Sequence, residues 1–423
     1  MMDPAVTGLA ILGICILLFL INKLNMTLVA VGGMAAMVLF GVCGFDDAFA
    51  KLGSDTVVLM ASMMVVGKAV YETGLASLAG GHIVRLAGGS ERMLCVVSTC
   101  GTALISSMLS NVATMAIMIS VIAAICESER HISFKRVLLP VGMGAVIGGS
   151  VTLVGSTPQL TAQGILESMT DISFSFFDFT PVGLLVVLLL TLYVGFVGYP
   201  ISKRLWPGTG EICAAPDGGE AVPAGDRRGM IKSGVIFLLT MASFSLELIP
   251  LAMTALLAAL ACVLTGCIDH KRAIQAIEWD LCLRLAACLS LAEAISVSGG
   301  DKLIADALMR IVSPDANPWL IFALLVLFSQ TLTQFISNST VIVIFLPIAI
   351  SLCEGLGYNV MPFAVGITMA SSMAVATPMA NGTIAMALVA GYEFSDYAKY
   401  AGLMTIISYI AIVSLVPILF PIL

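Results

Sequence analysis

The sequence predicts an all-α protein that crosses a membrane many times, and three observations lead to this fold class. Of the 423 residues, 59% are hydrophobic and only 11% are charged, whereas a soluble globular domain is about one quarter charged. The mean hydropathy is +1.07. Apolar runs of roughly 20 residues, long enough for a helix to span a bilayer, recur along the chain. A single soluble domain is excluded, because so few charged groups cannot cover a water-exposed surface.

Each half of the chain supplies a matching set of apolar runs. Residues 1–200 contain predicted spans at 5–21, 27–43, 56–71, 137–167 and 182–199, with a helical hairpin at 93–125. Residues 233–423 contain predicted spans at 234–246, 251–267, 281–297, 362–390 and 401–420, with a helical hairpin at 319–352. We expect both hairpins to be re-entrant, which gives two repeats of five transmembrane helices and one hairpin each.

Residues 201–232 separate the halves and differ from both. They are rich in Gly, Pro and Asp and end in a basic group, which is typical of a flexible aqueous linker. If this linker is cytoplasmic, most of the 19 Lys and Arg residues fall in cytoplasmic loops, as the positive-inside rule requires. The first apolar run lacks the positive n-region of a signal peptide and is predicted to be a span. The sequence therefore predicts a multi-pass protein of the cell (inner, cytoplasmic) membrane with both termini outside.

The two halves resemble each other at a spacing of about 225 residues. Leu109–Thr114 corresponds to Ile336–Thr340, and Gly155–Pro158 is paired with Val375–Pro378. Because five crossings is an odd number, the second copy must be inverted relative to the first. Inverted repeats with interrupted helices at matching positions are the sequence sign of a secondary transporter's binding site.

The interruptions predict where ligands bind, because unpaired backbone groups are tolerated at membrane depth only when they line a cavity or a ligand site. At each hairpin tip, a Ser-Asn pair is expected to turn the chain and cap the next helix, whose free N–H groups favour an anion. Thr157-Pro158 and Thr377-Pro378 are expected to break the other two helices, since proline removes a hydrogen-bond donor. The freed carbonyls and the Ser, Thr and Asn oxygens are hard ligands that suit Na⁺. The pattern predicts one anion site flanked by two cation sites.

These paired tips and breaks resemble those of the divalent anion:sodium symporter family, whose members carry sulfate, dicarboxylates and tricarboxylates. That family lies in the ion-transporter superfamily, together with arsenite-efflux pumps and Na⁺/H⁺ antiporters of similar topology. The resemblance covers residues 5–410. It implies a homodimer that works as an elevator, in which a transport domain slides against a scaffold domain, with Na⁺ as coupling ion and no other cofactor.

The resemblance also implies a set of site residues. The residues implied in substrate binding are Ser110, Asn111, Val112, Thr157, Ser337, Asn338, Ser339, Thr377 and Pro378. The residues implied in sodium binding are Ser106, Ser110, Asn111 and Ser156 at one site, and Thr333, Asn338 and Ala376 at the other. The sequence departs from the family pattern at Val112, where the family usually has Thr, and after both prolines, where a second Pro and an Asn are missing. The apolar Val112 suits a substrate that needs fewer hydrogen bonds at one end.

The sequence thus predicts a secondary active transporter that moves a small divalent anion, succinate first and citrate or sulfate next, in symport with Na⁺. Two alternatives stay open: efflux or antiport on the same fold, of the arsenite or Na⁺/H⁺ type, and sodium-independent dicarboxylate exchange. An enzyme is not expected, because no HExxH or GxSxG motif occurs. Neither ATP nor nucleic acid is expected as a partner, since the chain has no Walker motif and no basic patch. The expected partners are the anion, Na⁺, the lipid bilayer and a second copy of the chain.

Lys68, Arg284 and Glu293 fall inside predicted spans and Glu72 lies just after one; charges inside spans are functional hypotheses by default. Lys68 and Glu72 stand four residues apart and can pair on one helical face. Glu293 lies opposite Lys68 in the repeat, nine residues after Arg284. For all four, a structural ion pair and a role in transport are both open at this stage.

Overall fold

The computed structural model describes residues 3–21, 24–75, 78, 89–129, 131–207, 227–246, 249–300, 303, 317–379 and 381–423. Throughout these ranges every regular element is helical, which confirms the all-α fold class. Five helical stretches are long and apolar enough to cross a membrane: Phe45–Glu72, Thr180–Leu205, Arg227–Leu246, Asn338–Leu356 and Phe394–Leu419. Shorter apolar helices accompany them, as expected for spans that are interrupted or re-entrant.

The first half folds into ten helices within the described ranges. They are α1 (Pro4–Ile21), α2 (Met26–Leu39), α3 (Phe45–Ala50), α4 (Asp55–Glu72), α5 (Glu91–Ser106), α6 (Asn111–Ser128), α7 (Phe134–Gly148), α8 (Thr157–Met169), α9 (Thr180–Tyr193) and α10 (Tyr199–Leu205). A 3₁₀ turn at Lys51–Gly53 joins α3 to α4, and a π-helical turn at Val194–Gly198 joins α9 to α10.

The second half gives nine helices within the described ranges. They are α11 (Arg227–Leu246), α12 (Leu251–Leu264), α13 (His270–Gln275), α14 (Trp279–Ser298), α15 (Pro318–Leu332), α16 (Asn338–Leu356), α17 (Val360–Ser371), α18 (Gly382–Ala385) and α19 (Phe394–Leu419). A 3₁₀ turn at Met386–Ala390 continues α18.

The predicted linker at 201–232 is helical at both of its ends. Helix α10 continues to Leu205 and α11 begins at Arg227, while residues 208–226 lie outside the described residues. Composition misplaced these boundaries because the charged residues of 203–204 and 227–232 were read as loop residues. Lys and Arg are good helix formers and can extend an apolar helix beyond its apolar part.

The helices pack in two sets, each built from both halves of the chain. Set A comprises α1–α4 and α11–α14, and set B comprises α5–α10 and α15–α19. Within the described ranges, the extensive contacts between the sets are those of α8 with α4 and α14. Gly164 of α8 lies so close to Leu289 of α14 that a Cβ on the glycine would approach the leucine side chain to 2.6 Å.

Few polar contacts join the two sets. The Thr56 hydroxyl of α4 donates to Glu167 of α8 at 3.0 Å, and the Thr340 hydroxyl of α16 lies 3.4 Å from the sulfur of Met26. The ion pairs of Arg136 with Glu91 and of Lys51 with Glu293 each lie within one set. In set B, Arg136 and Glu91 form a buried ion pair at 3.2 Å. The boundary between the sets is therefore chiefly apolar.

Candidate functional site

The two predicted hairpins are pairs of helices joined by short tips. Helix α5 ends at Ser106 and α6 begins at Asn111, and α15 ends at Leu332 before α16 begins at Asn338. Ser110 and Ser337 occupy the position just before the second helix of each pair, with extended backbone angles that stop helix propagation toward the tip. Both tips thus present the start of a helix.

The two other interruptions come before the prolines that were expected to cause them. Helix α7 ends at Gly148, and Pro158 lies in the first turn of α8, where its missing N–H removes no hydrogen bond. Helix α17 ends at Ser371, and Pro378 lies in the non-helical segment that follows. Prolines inside α7, α16 and α19 leave those helices continuous in the same structure. The prolines therefore mark the neighbourhood of the breaks but do not set where the helices end.

The pairing of Gly155–Pro158 with Val375–Pro378 is wrong by five residues. The Thr377 hydroxyl donates to the carbonyl of Gln334, and the Thr152 hydroxyl donates in the same way to the carbonyl of Ser107. Thr152 is therefore the counterpart of Thr377, and the same spacing makes Ser156, which precedes α8, the counterpart of Asn381, which precedes α18. The repeated Thr-Pro dipeptide suggests a pairing that departs from the spacing of about 225 residues between the two halves.

A cavity of about 210 Å³ lies where these tips and breaks meet. Eight of the residues implied by the family resemblance line it: Ser110, Asn111, Val112, Ser156, Thr157, Ser337, Asn338 and Ser339. Four further polar residues line the same cavity: Glu278, Arg284, Asn381 and Thr383. Thr377, Pro378 and Ala376 are not among the lining residues. The Ala376 N–H donates to the Gln334 side chain at 3.0 Å, which ties that segment to the tip of the second hairpin.

Helix starts face this cavity from three directions. Ser110, Ser156 and Ser337 are the N-cap residues of α6, α8 and α16 and all line it. At these three described caps no serine side chain bonds a first-turn N–H, so the N–H groups keep their hydrogen-bonding capacity. Aligned peptide dipoles add a partial positive charge at each helix start. The cavity is therefore suited to an anion.

Two opposite charges line the cavity from set A. Arg284 is half-buried in α14, and Glu278 lies just before that helix. Burial raises the pKa of the Glu278 carboxyl, and the positive charge of Arg284 opposes that rise. Glu278 also lines a neighbouring cavity, together with Ser110, Val112 and Lys68.

Behind the first tip, four oxygen atoms come together. The Ser106 hydroxyl donates to the Ala145 carbonyl at 2.7 Å and lies 2.8 Å from the amide oxygen of Asn111. That amide oxygen is also 3.2 Å from the Ala145 carbonyl and 3.1 Å from the Gly155 carbonyl. Turned the other way, the amide places its nitrogen at that position, where it donates to the Ser106 hydroxyl and to the Ala145 and Gly155 carbonyls.

Behind the second tip, the same arrangement recurs. The Thr333 hydroxyl donates to the Ser371 carbonyl at 2.7 Å and lies 3.0 Å from the amide oxygen of Asn338. Each cluster thus joins a hydroxyl, an asparagine amide and the last carbonyls of a broken helix. Side-chain and carbonyl oxygens of this kind fit a hard monovalent cation. Ser106, Asn111, Thr333 and Asn338 lie in the clusters, whereas Ser110 and Ser156 line the anion cavity.

Sequence reasoning missed several members of this site. The carbonyls of Ala145, Gly155 and Ser371 carry no side-chain signature and could not be found from motifs. Asn381 could have been found, because the constant spacing of about 225 residues from Ser156 leads to it. Glu72 and Glu293, which were left open, form ion pairs within set A, with Arg272 at 3.5 Å and with Lys51 at 3.1 Å.

Comparison with known proteins decides the family. The sequence model described as citrate transporter, CitMHS, matches residues 16–342 and 244–422, which is more than half of the chain. The chain belongs to this citrate transporter family. As a member, it is a multi-pass membrane transporter and not an enzyme.

Two of its relatives are themselves named only as uncharacterized transporters. An uncharacterized transporter of Haemophilus influenzae is 25% identical over 97% of this chain and 90% of its own length. The uncharacterized transporter YfbS of Escherichia coli is 30% identical over 44% of this chain, and the match spans only 30% of that longer protein. The names of these two relatives therefore do not identify the substrate of this member of the citrate transporter family.

Two solved structures share the fold. The YdaH transporter of Alcanivorax borkumensis aligns over 98% of both chains with a TM-score of 0.69 at 15% identity. MtrF of Neisseria gonorrhoeae aligns over 99% of this chain and 95% of its own, with a TM-score of 0.62 at 12% identity. Both alignments show that this chain shares the fold of these transporters.

Proposed function

We propose that this transporter carries a small carboxylate anion with two or more charges and that it is driven by Na⁺. The observation that carries the proposal is the convergence of three helix starts from both halves of the chain on one polar cavity. Helix starts bind anions through free N–H groups and the helix dipole. The family description adds citrate as the first compound to test, with succinate and sulfate next.

The size of the cavity supports a small substrate. The cavity, with a volume of about 210 Å³, has room for a compact organic anion.

The two oxygen clusters support sodium coupling. Na⁺ bound at the Asn111 cluster would lie next to the helix start that begins with that residue, and Na⁺ at the Asn338 cluster would do the same for the other tip. Each cation would then order a tip and add positive charge beside the anion, which explains why substrate and Na⁺ would bind together.

The two packing sets support elevator movement. Both hairpins and both broken helices belong to set B, so the anion cavity and the two oxygen clusters would move largely as one unit along set A. An apolar boundary with few hydrogen bonds opposes sliding less than a polar one does, because fewer bonds must break. We further propose a homodimer in the cytoplasmic membrane, with the linker inside and both termini outside.

A second candidate is export through the same site. The fold is shared with MtrF, whose published description is of a class of antimetabolite efflux pumps. Export and import use the same binding geometry and differ in which ion gradient is coupled. The direction of net flux in vesicles distinguishes them.

Thermal unfolding of the purified protein with citrate, succinate and sulfate, each with NaCl or choline chloride, tests the proposal. A ligand at about 100 times its Kd stabilises the folded state by about 2.7 kcal/mol. We expect one of the anions to raise the Tm in NaCl and much less in choline chloride. An equal rise in Tm in NaCl and in choline chloride would exclude symport and favour exchange. A Tm that none of the anions changes would refute the proposal.

A matched pair of asparagine variants locates the response. Asn338→Ala removes an amide from the second oxygen cluster, while Asn359→Ala removes an amide that caps α17 outside the cavity. We expect the anion and sodium response to be lost in the first variant and kept in the second. Uptake of the stabilising anion into proteoliposomes under an inward sodium gradient, or its export under the opposite gradient, then settles the direction of transport.

A further inference from the structure

Arg284 differs from the rest of the anion cavity in its origin and in its charge. It is carried by α14 of set A, whereas both hairpin tips and α8 belong to set B. Among the described residues that line the cavity, it is the one Lys or Arg. Arg284 therefore brings the full positive charge of a side chain to a site whose other positive features are helix starts.

The guanidinium of Arg284 has weak protein contacts. Its Nη1 lies 3.8 Å from the sulfur of Met26, which is a poor acceptor. Within the described part of the chain, no carboxylate lies in ion-pair range of this arginine. Glu278 acts on Arg284 only from beyond ion-pair range, so the desolvation of this half-buried charge is incompletely compensated. Such an arginine is suited to pair with a negatively charged group of a bound ligand.

Neighbouring cavities show which end of the site Arg284 serves. A small second cavity is lined by Arg284 together with Thr157, Ser339 and Thr340, which belong to the first turns of α8 and α16. Where the main cavity adjoins the neighbouring cavity, it is lined by Val112 and Glu278 beside the helix start at Ser110, with Lys68 in the adjoining cavity. The Arg284 end thus combines a guanidinium with two helix starts, and the Val112 end has one helix start, an apolar side chain and a carboxylate.

We propose that Arg284 binds one carboxylate of the substrate at the Thr157–Ser339 end and so selects anions of higher charge. The guanidinium can hold a carboxylate with two parallel hydrogen bonds, which a lysine cannot do. The less charged end of the substrate then lies toward Val112. Because Arg284 belongs to set A and the tips belong to set B, the bound anion connects the two sets in this conformation. The inference rests on the proposed anion transport and adds its specificity-determining residue.

The test compares Arg284→Gln and Arg284→Lys with wild type, and uses Arg272→Gln as the matched control. Arg272 is an exposed arginine of set A, whose side chain is 66% exposed and pairs with Glu72. The probes are citrate and succinate in NaCl, each against its monoamide, in which one carboxylate is neutral. Titrations followed by thermal unfolding give the Kd for each pair.

Arg284→Gln is expected to weaken binding of the fully charged anion about tenfold to a hundredfold, as for the loss of a hydrogen bond to a charged group. Binding of the monoamide is expected to change less than about threefold, so that the preference for the extra charge is lost. Arg284→Lys should keep part of the preference, and Arg272→Gln should keep all of it. The unliganded Tm of Arg284→Gln should not fall, because the charge it removes has no ionic partner in the described chain.

The other outcomes overturn the proposal in distinguishable ways. If wild type binds citrate or succinate and Arg284→Gln weakens acid and amide equally or not at all, Arg284 has no role in selection. A lower unliganded Tm with unchanged preference would make Arg284 a structural residue. If wild type responds to neither probe, the proposed anion transport fails and the role of Arg284 fails with it. Should Arg284→Gln not fold, a reduced charge preference in Arg284→Lys supports the proposal, and full retention of the preference contradicts the bidentate contact.

Discussion

Removing the hydroxyl of Ser106 tests the first oxygen cluster directly. Ser106 is fully buried, and its hydroxyl lies 2.7 Å from the Ala145 carbonyl and 2.8 Å from the Asn111 amide. Ser106→Ala leaves both groups without this partner. Without sodium, the loss of a buried hydrogen bond should lower the free energy of unfolding by about 1–3 kcal/mol.

The larger effect is expected on sodium. If the Ser106 oxygen is a ligand, its loss should weaken sodium binding about tenfold or more, since an interaction with a charged group contributes about 1.5–3 kcal/mol. At a sodium concentration of about 100 times the wild-type Kd, sodium would stabilise wild type by about 2.7 kcal/mol and a tenfold weaker variant by about 1.4 kcal/mol. The measurement is a NaCl titration of the unfolding transition at constant anion, with choline chloride holding the ionic strength.

Ser98→Ala is the matched control for this experiment. Ser98 lies on the same helix, is equally buried, and its hydroxyl has no hydrogen-bond partner within the described residues. Its removal should leave the sodium titration unchanged and should not lower the stability. The assignment of the cluster to sodium would be refuted if Ser106→Ala had the same midpoint in the NaCl titration as wild type. It would also be refuted if both variants lost sodium affinity equally.

Three further predictions follow from single contacts. Thr333→Val keeps the shape of the side chain but removes its hydroxyl from the second cluster. The variant should also weaken sodium binding about tenfold, and an unchanged NaCl titration would count against sodium binding at that cluster. Gly148→Ala should destabilise the protein by about 3 kcal/mol or more, because the new Cβ would lie 2.2 Å from a backbone oxygen of α5. The control Gly13→Ala, whose Cβ would have no neighbour within 4 Å, should be neutral or stabilising when both variants are compared by thermal unfolding. Arg136→Gln should lower the free energy of unfolding by about 3–5 kcal/mol, because it leaves its buried carboxylate partner unpaired. Arg272→Gln, at an exposed pair, should lower it by less than about 1 kcal/mol. Equal Tm values for these two variants would contradict this expectation.

Much of the site could be predicted because its signals are local. A Ser-Asn pair inside an apolar run favours a helix start, and its presence in both halves led to Asn111 and Asn338. The structure brings both residues to one cavity. Ser106 and Thr333 came from the family resemblance, and each lies within hydrogen-bond distance of the asparagine five residues further on.

Other members of the site lacked a local signal or had a misleading one. The family resemblance suggested that Thr377 and Pro378 lie beside the substrate; Asn381 lines the cavity, and these two residues are not among its lining residues. Arg284 was recognised as a charge within a span, yet no sequence pattern indicated that α14 would bring it opposite the hairpin tips. Such placements depend on how helices pack and not on the residues next to them in the chain.

The sequence by itself determined that the protein is helical, that it crosses a membrane many times and that matching interruptions occur in its two halves. These properties follow from composition and from spacing along the chain, because a bilayer accepts few backbone structures. Only the tertiary structure decided which carbonyls meet the asparagine amides, which helix supplies the cation of the anion cavity, and how the helices divide into two sets. Those outcomes result from contacts between residues far apart in sequence, such as the packing of Gly164 against Leu289, and close packing of this kind cannot be read from any one segment.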